Sequence, residues 1–245
     1  MLTNILLAGL VIFLTNTAEA ITGFGCTVMA LPFITAIFGI EIGVKVLTII
    51  SFTLASYTII SKWKYINFKV FFTIFPIMLL GLPIGMQLFR NIDPFYLKKA
   101  LAIFITCVAI SQLYLFFKKA ENKVEKPTSI LKTIILLFSG GIVQGAFSSG
   151  GPLVVLYAKS KLKHKTEFRA TLSLLWVTLN TVILTRFFIE GTLTSEICFT
   201  YLKMVPFLIM GIILGEYLHH RISQRIFSLV VYIGLLITGI FMLIF

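Results

Sequence analysis

Two short stretches of small and hydroxyl-bearing residues hold most of the chemistry available to this chain. Thr22, Gly23, Phe24, Gly25, Cys26 and Thr27 form one; Ser148, Ser149, Gly150, Gly151 and Pro152, with Gln144 just upstream, form the other. Each interrupts an apolar run. A glycine break frees backbone N–H groups, which lipid tolerates only where they face a cavity, a ligand or more protein. Each break is expected to start a new half-helix, after Gly25 in one and after Gly151 in the other. The first amides of such a helix carry partial positive charge and suit an anion. Hydroxyls at Thr22, Thr27, Ser148 and Ser149 add neutral donors, which hold a small oxyanion loosely enough to release it. Close helix packing is the other reading of the same small residues, and the recurrence of the break with its hydroxyls favours a site.

Ionisable residues inside apolar runs are few. Glu19 stands a few residues before the first break, and an intramembrane carboxylate is a functional candidate by default. It either takes up a proton that couples transport to a gradient, or helps by its charge to exclude misplaced anions, or faces water or a lysine at a hairpin tip with no coupling role. Lys45 and Arg169 begin the spans after the two breaks, where they either draw an anion to the mouths of a pathway or snorkel to headgroups. Asn180 lies within a span, facing the breaks or bonding a neighbouring helix. Cys26 is either a sulfur contact for a substrate such as thiosulfate or a small apolar filler. Trp63, Tyr57, Tyr65 and Tyr201 suit an interfacial belt, with Trp176 deeper and lining a cavity. His164, His219 and His220 have no partners at metal-ligand spacing, so no metal or other cofactor is expected. Catalysis has little to work with, since Glu19 alone offers intramembrane acid–base chemistry and Cys26 has no base beside it.

The elements that must position these residues are membrane helices. Of 245 residues 58% are hydrophobic and 12% charged, with a mean hydropathy of +1.03, too little polar surface for a soluble globule. The net charge of +12 sits in clusters between apolar runs, a positive-inside pattern rather than a nucleic-acid surface. Cys26, Cys107 and Cys198 imply no disulfide framework. The N-terminus lacks a basic leader and reads as a retained membrane segment.

At about 20 apolar residues per span, six ordinary spans fall at 44–61, 70–89, 98–117, 170–189, 198–218 and 226–245. Segments 3–38 and 131–158 carry the breaks and are expected to be hairpins that dip into the membrane and return, with short legs of about a dozen residues meeting near the midplane. With both as hairpins, loops 61–69, 118–132, 159–169 and 219–225 share one face and carry 15 of the 21 Lys and Arg residues. That face is cytoplasmic by the positive-inside rule, which puts both termini outside. Loop 90–99, with Arg90, Lys98 and Lys99, goes against the rule.

The halves also match internally. At an offset of 130, Pro76, Gly81 and Gly85 fall on Pro206, Gly211 and Gly215; at 125, Gly25 falls on Gly150 and Glu19 on Gln144. The expected fold is therefore an all-α integral membrane protein of two inverted repeats, each a glycine-broken helical hairpin plus three transmembrane helices. Residues 1–118 form the first repeat, 119–130 a cytoplasmic linker and 131–245 the second. An odd number of crossings per half inverts the second half, a recurrent transporter design.

GFG followed by Pro32 in the first break, and GGPLVVLY in the second, resemble the TauE/SafE sulfite exporter family, also called the toluene sulfonate uptake permeases, across nearly the whole chain. The chain departs from the pattern at Ser148 and Ser149, where glycine is expected, and at Cys26, which stands where the other half has Gly151. The resemblance implies a bacterial-type inner-membrane permease for sulfite, sulfonates, sulfoacetate or related small organosulfur anions, with the lipid bilayer as its setting and no nucleic-acid partner. The substrate would bind at the midplane between the two broken hairpins, with protons as a candidate coupling ion. A passive anion channel or a non-transporting sensor component is the alternative.

Overall fold

The computed structural model describes residues 2–118 and 130–219, together with residues 221, 229, 232–234, 236–237, 239, 240 and 243. Residues 119–129 of the expected linker and most of the span expected at 226–245 lie outside them. The regular elements among the described residues are helices: α1 (Leu2–Thr22), α2 (Cys26–Phe38), α3 (Ile40–Lys62), α4 (Phe68–Asn91), α5 (Pro94–Phe117), α6 (Ile130–Phe147), α7 (Gly151–Lys161), α8 (Lys165–Ile189) and α9 (Ser195–His219). Among them α1, α3, α4, α6, α8 and α9 are long and apolar enough to cross a membrane.

Helix ends follow local chemistry. Asn67 caps α4, its Oδ1 accepting from Val70 N at 3.1 Å, and Asp93 caps α5 by accepting from Phe95 N at 2.8 Å. Gly23 and Gly25, with φ of 86° and 103°, end α1 in a left-handed turn. Ser148 takes the same region at φ 52°, and it stands 125 residues after Gly23, so a serine fills a position that glycine fills in the other half. The second half-helix starts one residue earlier than expected, at Gly151 rather than after it, because Gly150 is already in the right-handed region and Pro152 is accommodated in the first turn.

The expected span limits shift outward. The helices α3, α4, α8 and α9 all begin before the apolar windows at 44, 70, 170 and 198, since the backbone ladder continues into residues polar enough to leave the lipid. The hairpin legs are unequal rather than both about a dozen residues long. First legs α1 and α6 have 21 and 18 residues, second legs α2 and α7 have 13 and 11. At 1.5 Å per residue the first legs reach roughly 27–32 Å, long enough to cross, and the second legs roughly 17–20 Å.

Side-chain contacts give the directions. Lys45 near the start of α3 lies 5.7 Å from the Phe187 ring near the end of α8, while Thr58 near the end of α3 accepts from Arg169 near the start of α8 at 3.4 Å. The two helices therefore run antiparallel. Helices α1 and α9 run parallel: a methyl on Gly211 would fall 2.9 Å from Phe13 O, one on Gly215 would fall 2.9 Å from Thr17 O, and His219 Nδ1 lies 2.8 Å from Ile21 O. Helices α4 and α6 run parallel as well, with Gly81 against the Phe138 carbonyl and Gly85 against the Ile142 carbonyl. The two offsets map these contacts onto each other, since Gly81 and Gly211 differ by 130 while Phe138 and Phe13 differ by 125. The glycines do one job in both places: they let α4 lie backbone to backbone on α6, and α9 on α1.

The exterior is apolar, with Leu6, Leu10 and Leu14 forming an exposed stripe on α1 and Leu80, Ile84, Ile209 and Ile213 exposed on α4 and α9. Asn16, Glu19, Gln144, Arg169 and Asn180 are buried. Polar residues inside and apolar residues outside are what a lipid solvent selects.

Candidate functional site

Glu19, Gly25, Thr27, Val28, Ser51, Gln144, Ser148, Ser149, Gly151 and Trp176 line one small cavity of about 10 Å³. Both breaks therefore reach a common space. Ser51 is the middle residue of α3 and Trp176 lies at the middle of α8. The volume is that of about one water, so the walls are nearly in contact.

Each break is held by its own first leg. Glu19 Oε2 accepts from Cys26 N, the first amide of α2, at 2.7 Å; Gln144 Oε1 accepts from Gly150 N at 2.9 Å. The residues paired by the 125 offset thus make similar bonds across the two breaks, one as a carboxyl to the first residue of α2 and one as an amide to the residue just before α7. In α2 the first intrahelical bond runs from Met29 N to Gly25 O at 3.0 Å, so the Thr27 and Val28 amides precede the ladder and belong to residues on the cavity wall. In α7 the ladder begins with Val154 N to Gly150 O, and Pro152 lacks an N–H, which leaves the second break relying more on its serine hydroxyls.

Contacts from α3 and α8 also hold the breaks. Trp176 Nε1 on α8 donates to Gly23 O at 2.8 Å. The Thr48 hydroxyl on α3 lies 2.6 Å from the Ser148 hydroxyl. Gln144 Nε2 donates to Asn180 Oδ1 at 2.8 Å, so Asn180 is an interhelical link that also steadies the second break. Ser149 Oγ donates to Phe147 O at 3.0 Å.

Other expected residues stand apart from the cavity wall. The Thr22 hydroxyl donates to Ala18 O and Phe24 O. Gly23 packs on the Arg169 backbone, Phe24 meets Phe168 edge-on at 6.3 Å, and Cys26, Gly150 and Pro152 are buried in packing at the half-helix starts. Val28, Ser51 and Thr48 were not expected from the sequence, since a lone serine or threonine in an apolar helix commonly bonds its own backbone, as Thr48 also does to Val44 O.

The surroundings of Lys45 and Arg169 differ. At one end, Ile40, Glu41, Lys45, Met86, Arg90 and Arg186 are among the residues around a 610 Å³ vestibule that reaches Gly145 on the second broken element. Lys45 is 4% exposed there and pairs with Glu41 at 2.6 Å. At the other end, Arg169 of α8 bonds Glu216 of α9 and Thr58 of α3.

A protein-family model described as Sulfite exporter TauE/SafE matches residues 8–242. No curated protein and no solved structure matches the chain.

Proposed function

Because this chain belongs to the sulfite exporter TauE/SafE family, we propose that it is a secondary carrier for small sulfur oxyanions such as sulfite and sulfonates, which bind between the two breaks. The family makes it an integral multi-pass membrane permease; substrate, site and mechanism are our reading. One observation carries it: two breaks 125 residues apart, each starting a half-helix, share the wall of a single cavity. The Thr27 and Val28 amides, the hydroxyls of Thr27, Ser51, Ser148 and Ser149, and the Trp176 ring surround that space, a donor set without a fixed cation.

The antiparallel α3 and α8 and the offset-matched contacts support a reading as inverted repeats, which would supply the two related states that alternating access requires. One state has the vestibule at the Lys45 end, with the Arg169 end drawn together. The basic loops place the Arg169 end at the cytoplasm.

Glu19 fits a proton-coupling role. Its carboxylate already occupies the α2 N-terminus through Cys26 N, the place an incoming anion would favour, and two anions there repel. A proton on Glu19 removes the conflict, so anion and proton would travel together. Gln144, neutral at the matching place, has no such conflict.

The test is counterflow in proteoliposomes. Vesicles loaded with unlabelled sulfite are expected to accumulate radiolabelled sulfite transiently, as a carrier does and a pore does not. Equilibration without overshoot would reject the carrier, and no sulfite flux at all would reject the substrate class.

A further inference from the structure

Arg169 is the most unusual buried group in the molecule. It is 1% exposed, only Nη2 of its three guanidinium nitrogens is bonded, to Glu216 and Thr58, and Nε and Nη1 have no partner. A guanidinium offers five N–H donors in a planar fork, and a buried cation left half satisfied is expensive in a membrane protein. Such a fork fits two oxygens of one oxyanion.

Its surroundings connect it to the site. Gly23 packs on the Arg169 backbone, with a methyl there falling 2.8 Å from Arg169 Cα, and the Gly23 carbonyl holds Trp176 on the cavity wall. The Gly23 turn thus touches both the Arg169 backbone and Trp176, a residue of the cavity wall. Glu216 is 21% exposed, so it has water to turn to if Arg169 lets go.

The opposite end provides a comparison. At the 130 offset Glu216 corresponds to Met86, which lines the vestibule beside Lys45. Lys45 pairs with Glu41, four residues away on its own helix, and lies over the Phe187 ring, while Glu190 after α8 pairs with Arg90 of α4 and with Arg186; none of these ties α3 to α4. A carboxylate from a second helix thus pairs with the buried cation at one end, and methionine stands at the matching place beside the 610 Å³ vestibule at the other.

We propose that Arg169 is a second anion station at this end of the pathway, and that Glu216 occupies it in the closed state. A sulfur oxyanion arriving from the cavity takes the fork of Arg169, Glu216 turns to water, and the α8–α9 tie is released. This rests on the carrier reading above and adds to it the residue that receives the anion and the carboxylate that competes for it.

Trp176 reports on this directly, because its indole bonds Gly23. The other tryptophan, Trp63, is 61% exposed and is removed as Trp63→Phe. In that background, sulfite is titrated into the detergent-solubilised full chain and Trp176 fluorescence is followed. Glu216→Gln is expected to lower the sulfite Kd about tenfold, and Glu216→Asp, which keeps the charge on a shorter arm, by less. Arg169→Lys keeps a charge but loses the fork; it is expected to raise the Kd about tenfold and to abolish the gain from Glu216→Gln when the two are combined. A merely structural ion pair would not tighten sulfite binding when broken. A wild-type response that Glu216→Gln and Glu216→Asp leave unchanged or weaken overturns the exchange while leaving the carrier reading in place. Absence of any sulfite response in the wild type, by fluorescence and by flux, overturns both.

Discussion

The indole N–H of Trp176 reaches 153 residues back along the chain to the Gly23 carbonyl, at 2.8 Å, so the helix after one break holds the other break in shape. Both groups are buried. Trp176→Phe keeps a ring and leaves the carbonyl unpaired, which costs about 1–3 kcal/mol. A fall in thermal stability of a few degrees is expected in detergent, with sulfite flux reduced further than the stability loss alone explains. Unchanged stability would mean that the bond contributes nothing net.

Glu19→Gln turns the first break into a chemical copy of the second, because an amide oxygen accepts from Cys26 N as Gln144 accepts from Gly150 N. The variant is expected to fold and to keep sulfite counterflow. It should lose sulfite accumulation driven by an imposed pH gradient. Gradient-driven accumulation at the wild-type level in Glu19→Gln would remove Glu19 from coupling.

Hydroxyls on the wall are expected to matter more to binding than to folding. Hydrogen bonds to charged groups contribute about 1.5–3 kcal/mol, so Ser149→Ala and Thr27→Val should each weaken sulfite binding by roughly ten- to a hundredfold. Thermal stabilisation by sulfite measures this; equal protection of wild type and both variants would place the anion elsewhere.

Backbone crossings at glycine should tolerate nothing larger. Gly85→Ala places a methyl against the Ile142 carbonyl, and Gly215→Ala places one against Ala20. Each is expected to destabilise by about 1–3 kcal/mol. Gly140→Ala meets only ordinary contacts, the nearest being Leu153 Cβ at 3.4 Å, and should be nearly neutral. Comparable losses in all three, read by thermal unfolding, would show that crossing distance does not set the cost, since alanine is the better helix former.

The broken elements were legible because glycines flanked by hydroxyls in an apolar run have few other uses in lipid. The pairing of Glu19 with Gln144 was legible as a spacing, but their shared bond to the next half-helix was not, since it depends on how sharply each chain turns back. Ser51, Val28 and Thr48 gave no signal, because isolated small polar residues suit any membrane helix. Glu216 was hidden by its position near the end of an apolar span, where a carboxylate is ordinarily solvated. Hairpin legs read as equal came out unequal, because apolar length marks what lies in lipid and the first legs also carry the long crossings with α9 and α4.

Those crossings bear on how the protein is made. The α1 face that meets Gly211 and Gly215 has no partner until α9 has left the ribosome, and the Gly81 and Gly85 face of α4 waits for α6. Neither half closes its own seams, so assembly in the bilayer is governed by the last-made helices. The two halves produced as separate chains in one cell should each be short-lived alone and persist only together.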